Sequence, residues 1–208
     1  RMRWGDRSEE FVRPVHWVVL LFGEQQIRAR VMGVEAGRAT RGHRFHHPGE
    51  IEITRPDAYV ELLREPGRVL ADHEERRARV HRQVQATAEA QGLQAVIDPD
   101  LLDEVTALVE WPVPILGNFD ELFLEVPAEA LVKTMQEHQK YFPVMDSDGA
   151  LQPHFIAVAN IESRDPEQVR SGNERVIRPR FSDAAFFWEQ DLKRPLGAHI
   201  DGLKAVVF

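Results

Sequence analysis

Four arginines, Arg170, Arg175, Arg178 and Arg180, fall within eleven residues against a single carboxylate, Glu174. Guanidinium groups stay charged at any physiological pH and present a planar fork of donors, so such a run is suited to phosphate. Pro179 biases Arg178 toward extended geometry, and an extended Arg-x-Arg places Arg178 and Arg180 on one side of the chain. With Asn173 beside it, this segment is a candidate contact for nucleic-acid phosphates. The competing account pairs the same arginines with acidic residues elsewhere in the molecule.

A second cluster, His138-Gln139-Lys140-Tyr141-Phe142, joins hydrogen-bond donors to two aromatic rings, which fits phosphate contact and base stacking. Equally, Tyr141 and Phe142 belong in a core, with Lys140 reaching past them to water. A third cluster holds Arg38, Arg41, His43, Arg44, His46 and His47. Histidines at i, i+3 and i+4 converge on a metal when helical, but Gly42 precedes them and Pro48-Gly49 follows. Only Glu50 and Glu52 are at hand to complete a ligand set, so no metal is assigned. A basic loop that meets phosphate or another subunit is the preferred reading.

Nothing points to catalysis. Asp103/Glu104 and Asp120/Glu121 are adjacent pairs whose side chains diverge, and Ser163 and Ser182 have no evident histidine partner in sequence. Neither a glycine-rich phosphate loop nor a nucleophile elbow occurs. No catalytic residue and no cofactor are therefore assigned to this chain.

The elements that must position these clusters are expected to mix strands and helices. Phe11–Phe22 reads as a buried strand ending at Gly23, and Gln26–Val34 as a strand paired with it. Gly33, Gly37 and Gly42 mark a loop-rich segment, Ile51–Ile53 a short strand, and Asp57–Arg64 a short helix stopped by Pro66-Gly67. Asp72–Gln91 is the clearest helix, capped by Asp72 and followed by Gly92. Its thin apolar stripe (Ala78, Val80, Val84, Thr87, Ala88) predicts a surface position. A second helix covers Asp100–Val109, and Trp111-Pro-Val-Pro114 ends it. Phe123–Val126 is expected to be extended and Ala128–Gln139 helical. Tyr141–Met145 and Phe155–Ala159 should form a hairpin about Asp146–Gly149. Pro166–Ser171 reads as one helical turn, and a separate helix from Arg180 or Ser182 to Leu192 follows. No βαβ repeat is present, so the fold class is α+β with a mixed, largely antiparallel sheet and surrounding helices. The organisation is one module over 1–208, with the alternative of two lobes, 1–70 and 98–208, bridged by the helix 72–91.

Composition is that of an ordinary globular chain: 43% hydrophobic and 29% charged over 208 residues. Cysteine is absent, which excludes disulfides and thiolate metal sites and fits a reducing cytoplasm. No apolar run approaches the about 18 residues of a membrane span. A net charge of −8 opposes strong autonomous nucleic-acid binding, yet it is unevenly spread. Nine carboxylates and no Lys or Arg lie between Asp98 and Glu129. Either that block simply solvates helix ends and loops, or it separates an acidic surface from a basic one. The chain begins at Arg1 and stops in the apolar run Ala205–Phe208, and both ends read as boundaries inside a longer protein.

Several strings together are specific: Leu131–Val144, Pro153–Ser163 and Gly172–Trp188, with Met2–Gly5, Phe11–Trp17 and Thr40–His46 upstream. They resemble the β-subunit family of the bacterial two-subunit glycine–tRNA synthetase, over nearly the whole chain. The resemblance implies an internal piece from the N-terminal half of β, with a fold similar to the editing-type domain of the phenylalanine–tRNA synthetase β subunit. It implies a cytoplasmic ligase, a heterotetramer in which the α subunit activates glycine with ATP and magnesium. The β subunit recognises and positions tRNA. The family's catalytic residues belong to α, so none maps here. A His-Asp phosphohydrolase-like domain and an anticodon-binding domain would lie beyond Phe208, and no matching His-Asp motif occurs in this chain. The implied partners are glycine tRNA, the α subunit and the remaining β domains, with no membrane. The expected role is an accessory module that holds tRNA through Arg41, His43, Arg44, His46, Gln139, Lys140, Asn173, Arg175, Arg178 and Arg180. Rival roles are a hydrolytic editing domain for mischarged tRNA and a purely structural docking module.

Overall fold

A computed structural model describes residues 2–6, 8–193 and 195–203, so Arg1 and the apolar run 205–208 lie outside the described residues. The chain divides into two compact units, Arg1–Arg76 and Arg77–Phe208.

The first unit is built from very short strands: β1 (Val18–Val19), β2 (Leu21–Phe22), β3 (Gln25–Gln26), β4 (Arg30–Val31), β5 (Val34–Gly37), β6 (Ala39–Arg41) and β7 (Glu50–Glu52). The expected buried strand over Phe11–Phe22 is thus reduced to two dipeptides. Pro14 cannot join a ladder, and Phe11 and Val12 are exposed, as is Phe22. The turn at Gly23-Glu24 does form, with Leu21 opposite Gln26 and Phe22 opposite Gln25. Gln26–Val34 is not one strand: Met32 and Gly33 take positive φ and turn β4 back onto β5. The segment expected to be loop-rich instead supplies β5 and β6. β1 pairs in parallel with β5, and β6 with β7 antiparallel. A single 3-10 turn, Pro56–Ala58, leads into helix α1 (Tyr59–Arg64).

Helix α2 (His73–Glu89) starts where Asp72 accepts a hydrogen bond from the Glu75 amide at 2.8 Å. The boundary between the units falls within it. It buries a stripe at four-residue spacing, Val80, Val84 and Ala88, and leaves its other faces polar, as a surface helix does.

The second unit is a four-stranded antiparallel sheet in the order β8-β10-β11-β9. Its strands are β8 (Gln94–Ala95), β9 (Val113–Asn118), β10 (Phe142–Met145) and β11 (Leu151–Ala159). Strand β9 is missed by the sequence reading because Pro114 argues against a central strand. It lies at the sheet edge, where proline is tolerated. Side chains alternate across β11: Ile156 faces α2 and α3 (Pro99–Leu108), while Phe155 and Ala157 face the opposite layer. That opposite layer is α4 (Ala128–Lys133), a π-helical turn over Thr134–Gln139, and helix α5 (Pro166–Asp191). The sheet is therefore sandwiched between helical layers, each burying its own apolar cluster. Glycine is required at Gly117: a Cβ there would meet the Phe155 ring at 2.3 Å. The architecture is α+β with small, largely antiparallel sheets, as the element pattern implies.

Two segments differ from expectation in ways that bear on the candidate site. Phe123–Val126 is not extended. Asp120 accepts from the Leu122 amide at 3.0 Å and starts a 3-10 helix over Glu121–Glu125. More consequentially, the two helical pieces expected around 166–171 and 180–192 are one helix of 26 residues that runs through Pro179. Pro179 offers no N–H to the Arg175 carbonyl, but both residues are exposed, so water can serve that carbonyl. Ile177 and Phe181 on either side are fully buried, and their packing overrides the local bias of proline.

Candidate nucleic-acid interface

The loop between β6 and β7 begins at Gly42, whose Cα passes so close to Gly67 that a Cβ would meet the Gly67 carbonyl oxygen at 2.6 Å. The His43 amide donates to that same oxygen at 2.7 Å. His43 is only 1% exposed. Its Nδ1 accepts from the amides of Phe45 and His46, both at 3.3 Å, and the His47 amide closes the turn on the His43 carbonyl at 2.8 Å. A single hydrogen-bonded turn thus forms and not a helix, in keeping with the flanking Gly42 and Pro48-Gly49. The rings of His43 and His46 lie 4.6 Å apart. Arg41 pairs with Glu50 at 3.6 Å and lies over the Trp17 ring. Arg38 reaches the Glu24 carbonyl and Glu52. Arg44 is exposed and Phe45, beside it, is 70% exposed.

At the end of the π-helical turn Lys140 takes a left-handed conformation, φ 60°, and its Nζ pairs with Glu104 at 2.8 Å. Tyr141 and Phe142 are buried, so the core account of these aromatics holds and base stacking on them does not. Tyr141 stacks on Phe155 at 4.6 Å between centroids and donates its hydroxyl to Asn173 Oδ1 at 2.7 Å. Asn173 in turn donates to the Val169 carbonyl at 2.7 Å. Burial pushes the Tyr141 phenol up to about 12. Gln139 is half-buried at the same corner.

Helix α5 carries the arginine run. It starts at Asp165, which accepts from the Gln168 amide at 3.2 Å, with Pro166 in its first turn. Arg178 is helical, not extended. Arg175 and Arg178, three residues apart, share one outward face, while Arg180 is rotated about 200° from Arg178 around the axis. All three are exposed, and among the described residues none has an ion-pair partner. Several carboxylates of the second unit are engaged elsewhere. Glu174 accepts from the Asn118 amide at 2.9 Å, and Glu167 pairs with Arg170. In the acidic block, Asp98 caps α3 at the Leu101 amide, Asp103 pairs with Arg77 and Glu104 with Lys140. Phe186, eleven residues beyond Arg175 and so about 20° from it around the axis, is exposed. Neither Phe45 nor Phe186 was singled out from the sequence. The available signal was an aromatic at helical or loop spacing beside an arginine.

Both serines considered as nucleophiles make local structural bonds. Ser163 Oγ donates to the Asp165 carbonyl and accepts from the Asp165 amide, both at 3.0 Å. Ser182 Oγ donates to the Arg178 carbonyl at 3.1 Å. Among the described residues no three His, Asp or Glu side chains are grouped to hold a metal, and no helix is long and apolar enough to cross a membrane. An open groove of about 500 Å³ is lined by Trp17, Val19, Leu20, Leu21, Thr40, Ile53, Pro56 and Tyr59, without a carboxylate or imidazole.

Arg175, Arg178 and Arg180 on α5 are thus exposed cations without an ion pair among the described residues. Comparison with known proteins is specific about the family. The family model described as glycyl-tRNA synthetase beta subunit matches residues 1–208. The glycine–tRNA ligase beta subunit of Hahella chejuensis is 56% identical over 208 residues, covering 100% of this chain and 30% of that relative. That of Marinobacter nauticus is 57% identical over 209 residues, and that of Chromohalobacter salexigens 55% over 207, with the same coverage. The chain belongs to the glycyl-tRNA synthetase beta subunit family. It spans about 30% of the length of the curated relatives it matches.

Proposed function

We propose that this chain is an accessory module of a cytoplasmic glycine–tRNA ligase that holds glycine tRNA by its phosphates. In this reading the α subunit activates glycine with ATP and magnesium, and the remaining β domains complete the tRNA surface. The observation that carries it is the exposed set Arg175, Arg178 and Arg180 on α5, unpaired among the described residues while the adjacent Glu174 accepts from the Asn118 amide. Three fixed cations that folding does not use are available to displace counterions from RNA. Arg44 offers a fourth, and Phe45 and Phe186 offer exposed rings on which an unpaired base can stack. His43 shapes the loop that presents Arg44 and His46. Arg41 and Lys140, each held by a carboxylate, and Asn173 and Gln139, at the Tyr141 corner, contribute to positioning more than to direct contact.

Replacing Arg175, Arg178 and Arg180 together by Ala in the full-length β subunit, assembled with α, tests this. Affinity for glycine tRNA should fall, and the slope of log K against log salt should shrink by about one per arginine lost. An unchanged affinity with an unchanged slope would reject the reading.

A further inference from the structure

Helix α5 continues its apolar stripe past the body that it packs on. Ile177 and Phe181 are fully buried, and Ala184 packs partly against the same cluster. Steps of three and four residues in the same phase lead on to Trp188 and Leu192. These are 37% and 67% exposed, and Phe187 beside them is 64% exposed. The phase of a core-facing stripe is kept for at least two further turns while its cover is lost. A contiguous apolar face of this kind, on a helix whose other half is a core element, marks an interaction surface.

Charge selects the kind of partner. From Ser182 to Arg194 the sequence carries Asp183, Glu189 and Asp191 against Lys193 and Arg194. Glu189 follows Trp188 and Asp191 precedes Leu192 in the chain, so a protein surface with a basic rim complements this end. The curated relatives share only 30% of their length with this chain, which leaves more than twice as much β polypeptide outside the shared segment.

We propose that the face formed by Trp188 and Leu192 is the docking site for a further domain of the β subunit, outside these 208 residues. That domain brings an apolar patch bordered by Lys or Arg. This site is separate from the arginine face and does not depend on tRNA binding.

Amide hydrogen exchange in the full-length β subunit tests it, measured free over a dilution series, with α, and with tRNA. The docking account expects residues 188–192 to be protected in free β at every dilution. Leu192→Glu, at a position exposed in this unit, should speed exchange there by at least ten-fold. It should also deprotect a segment of β outside the shared 208 residues. Protection that needs α, needs tRNA or disappears on dilution assigns the face to another occupant and overturns the proposal. So does deprotection confined to residues 1–208, or no protection at all.

Discussion

Around His43 the basic side chains other than Arg44 are drawn into the fold. The His43 ring is buried and caps its own turn, Arg41 is held by Glu50 and Trp17, and Arg38 by Glu24 and Glu52. On α5 the arginines are left outside: Arg175, Arg178 and Arg180 are exposed, and the adjacent Glu174 serves a strand-end amide instead. In sequence the two regions look alike, each a run of cations punctuated by Gly or Pro. What separates them is where the nearby carboxylates and amides end up, which only the fold decides. Cations whose charge is already balanced stabilise structure, and cations left unbalanced carry a standing electrostatic potential that a polyanion can use.

The contrast can be broken most severely at the scaffold beneath α5. Phe155→Ala removes a fully buried ring stacked on Tyr141 and should cost about 4 kcal/mol of stability, measured by denaturant unfolding. It should dismantle the arginine face together with the second unit's core. His43→Ala removes a buried ring that accepts from two amides and should cost about 2 kcal/mol. His43→Asn, whose side-chain oxygen can accept from an amide, should recover part of that. If His43→Ala left stability untouched, the loop would not be organised by this ring.

Between these extremes lies the Tyr141 corner, which a pH titration can isolate. Its phenol is pushed up to about 12 in the folded chain, against about 10 for a free tyrosine. The unfolded chain therefore releases this proton first as pH rises. Stability from burying the neutral phenol is whole below about pH 10 and is lost toward pH 12, by up to about 2 kcal/mol. Tyr141→Phe should flatten that fall and remove a late-titrating group from the tyrosinate absorbance. The smallest effect on stability is expected on α5 itself. Replacing Arg175, Arg178 and Arg180 by Ala should shift unfolding by less than about 0.5 kcal/mol, because among the described residues they have no ion pairs to lose.

Much of the scaffold was legible in the sequence where local chemistry and tertiary packing agree. Asp72 caps its helix, Val80, Val84 and Ala88 form the buried stripe, and the Asp146–Gly149 turn joins β10 to β11. The reading failed where packing overruled a local rule. Pro179 should have broken a helix that Ile177 and Phe181 hold in place, and Pro114 should have excluded a strand that survives at an edge. The β-rich run Phe11–Phe22 reads as core, yet only four of its residues pair in strands. The candidate cations were all found from sequence. Which of them fold would neutralise was not, since Lys140 meets Glu104 and Arg77 meets Asp103 across long stretches of chain.

The central claim is that the α5 arginines are surplus to folding and serve RNA, whereas the His43 ring serves the fold. The most direct measurement is the salt dependence of glycine-tRNA binding by the assembled enzyme. Wild type, the Arg175/Arg178/Arg180→Ala variant and His43→Asn would be compared, each checked for unfolding. The account predicts a weaker affinity and a slope shallower by about three for the arginine variant, and a wild-type slope for His43→Asn. A wild-type slope in the arginine variant, with the loss appearing in His43→Asn instead, would contradict it.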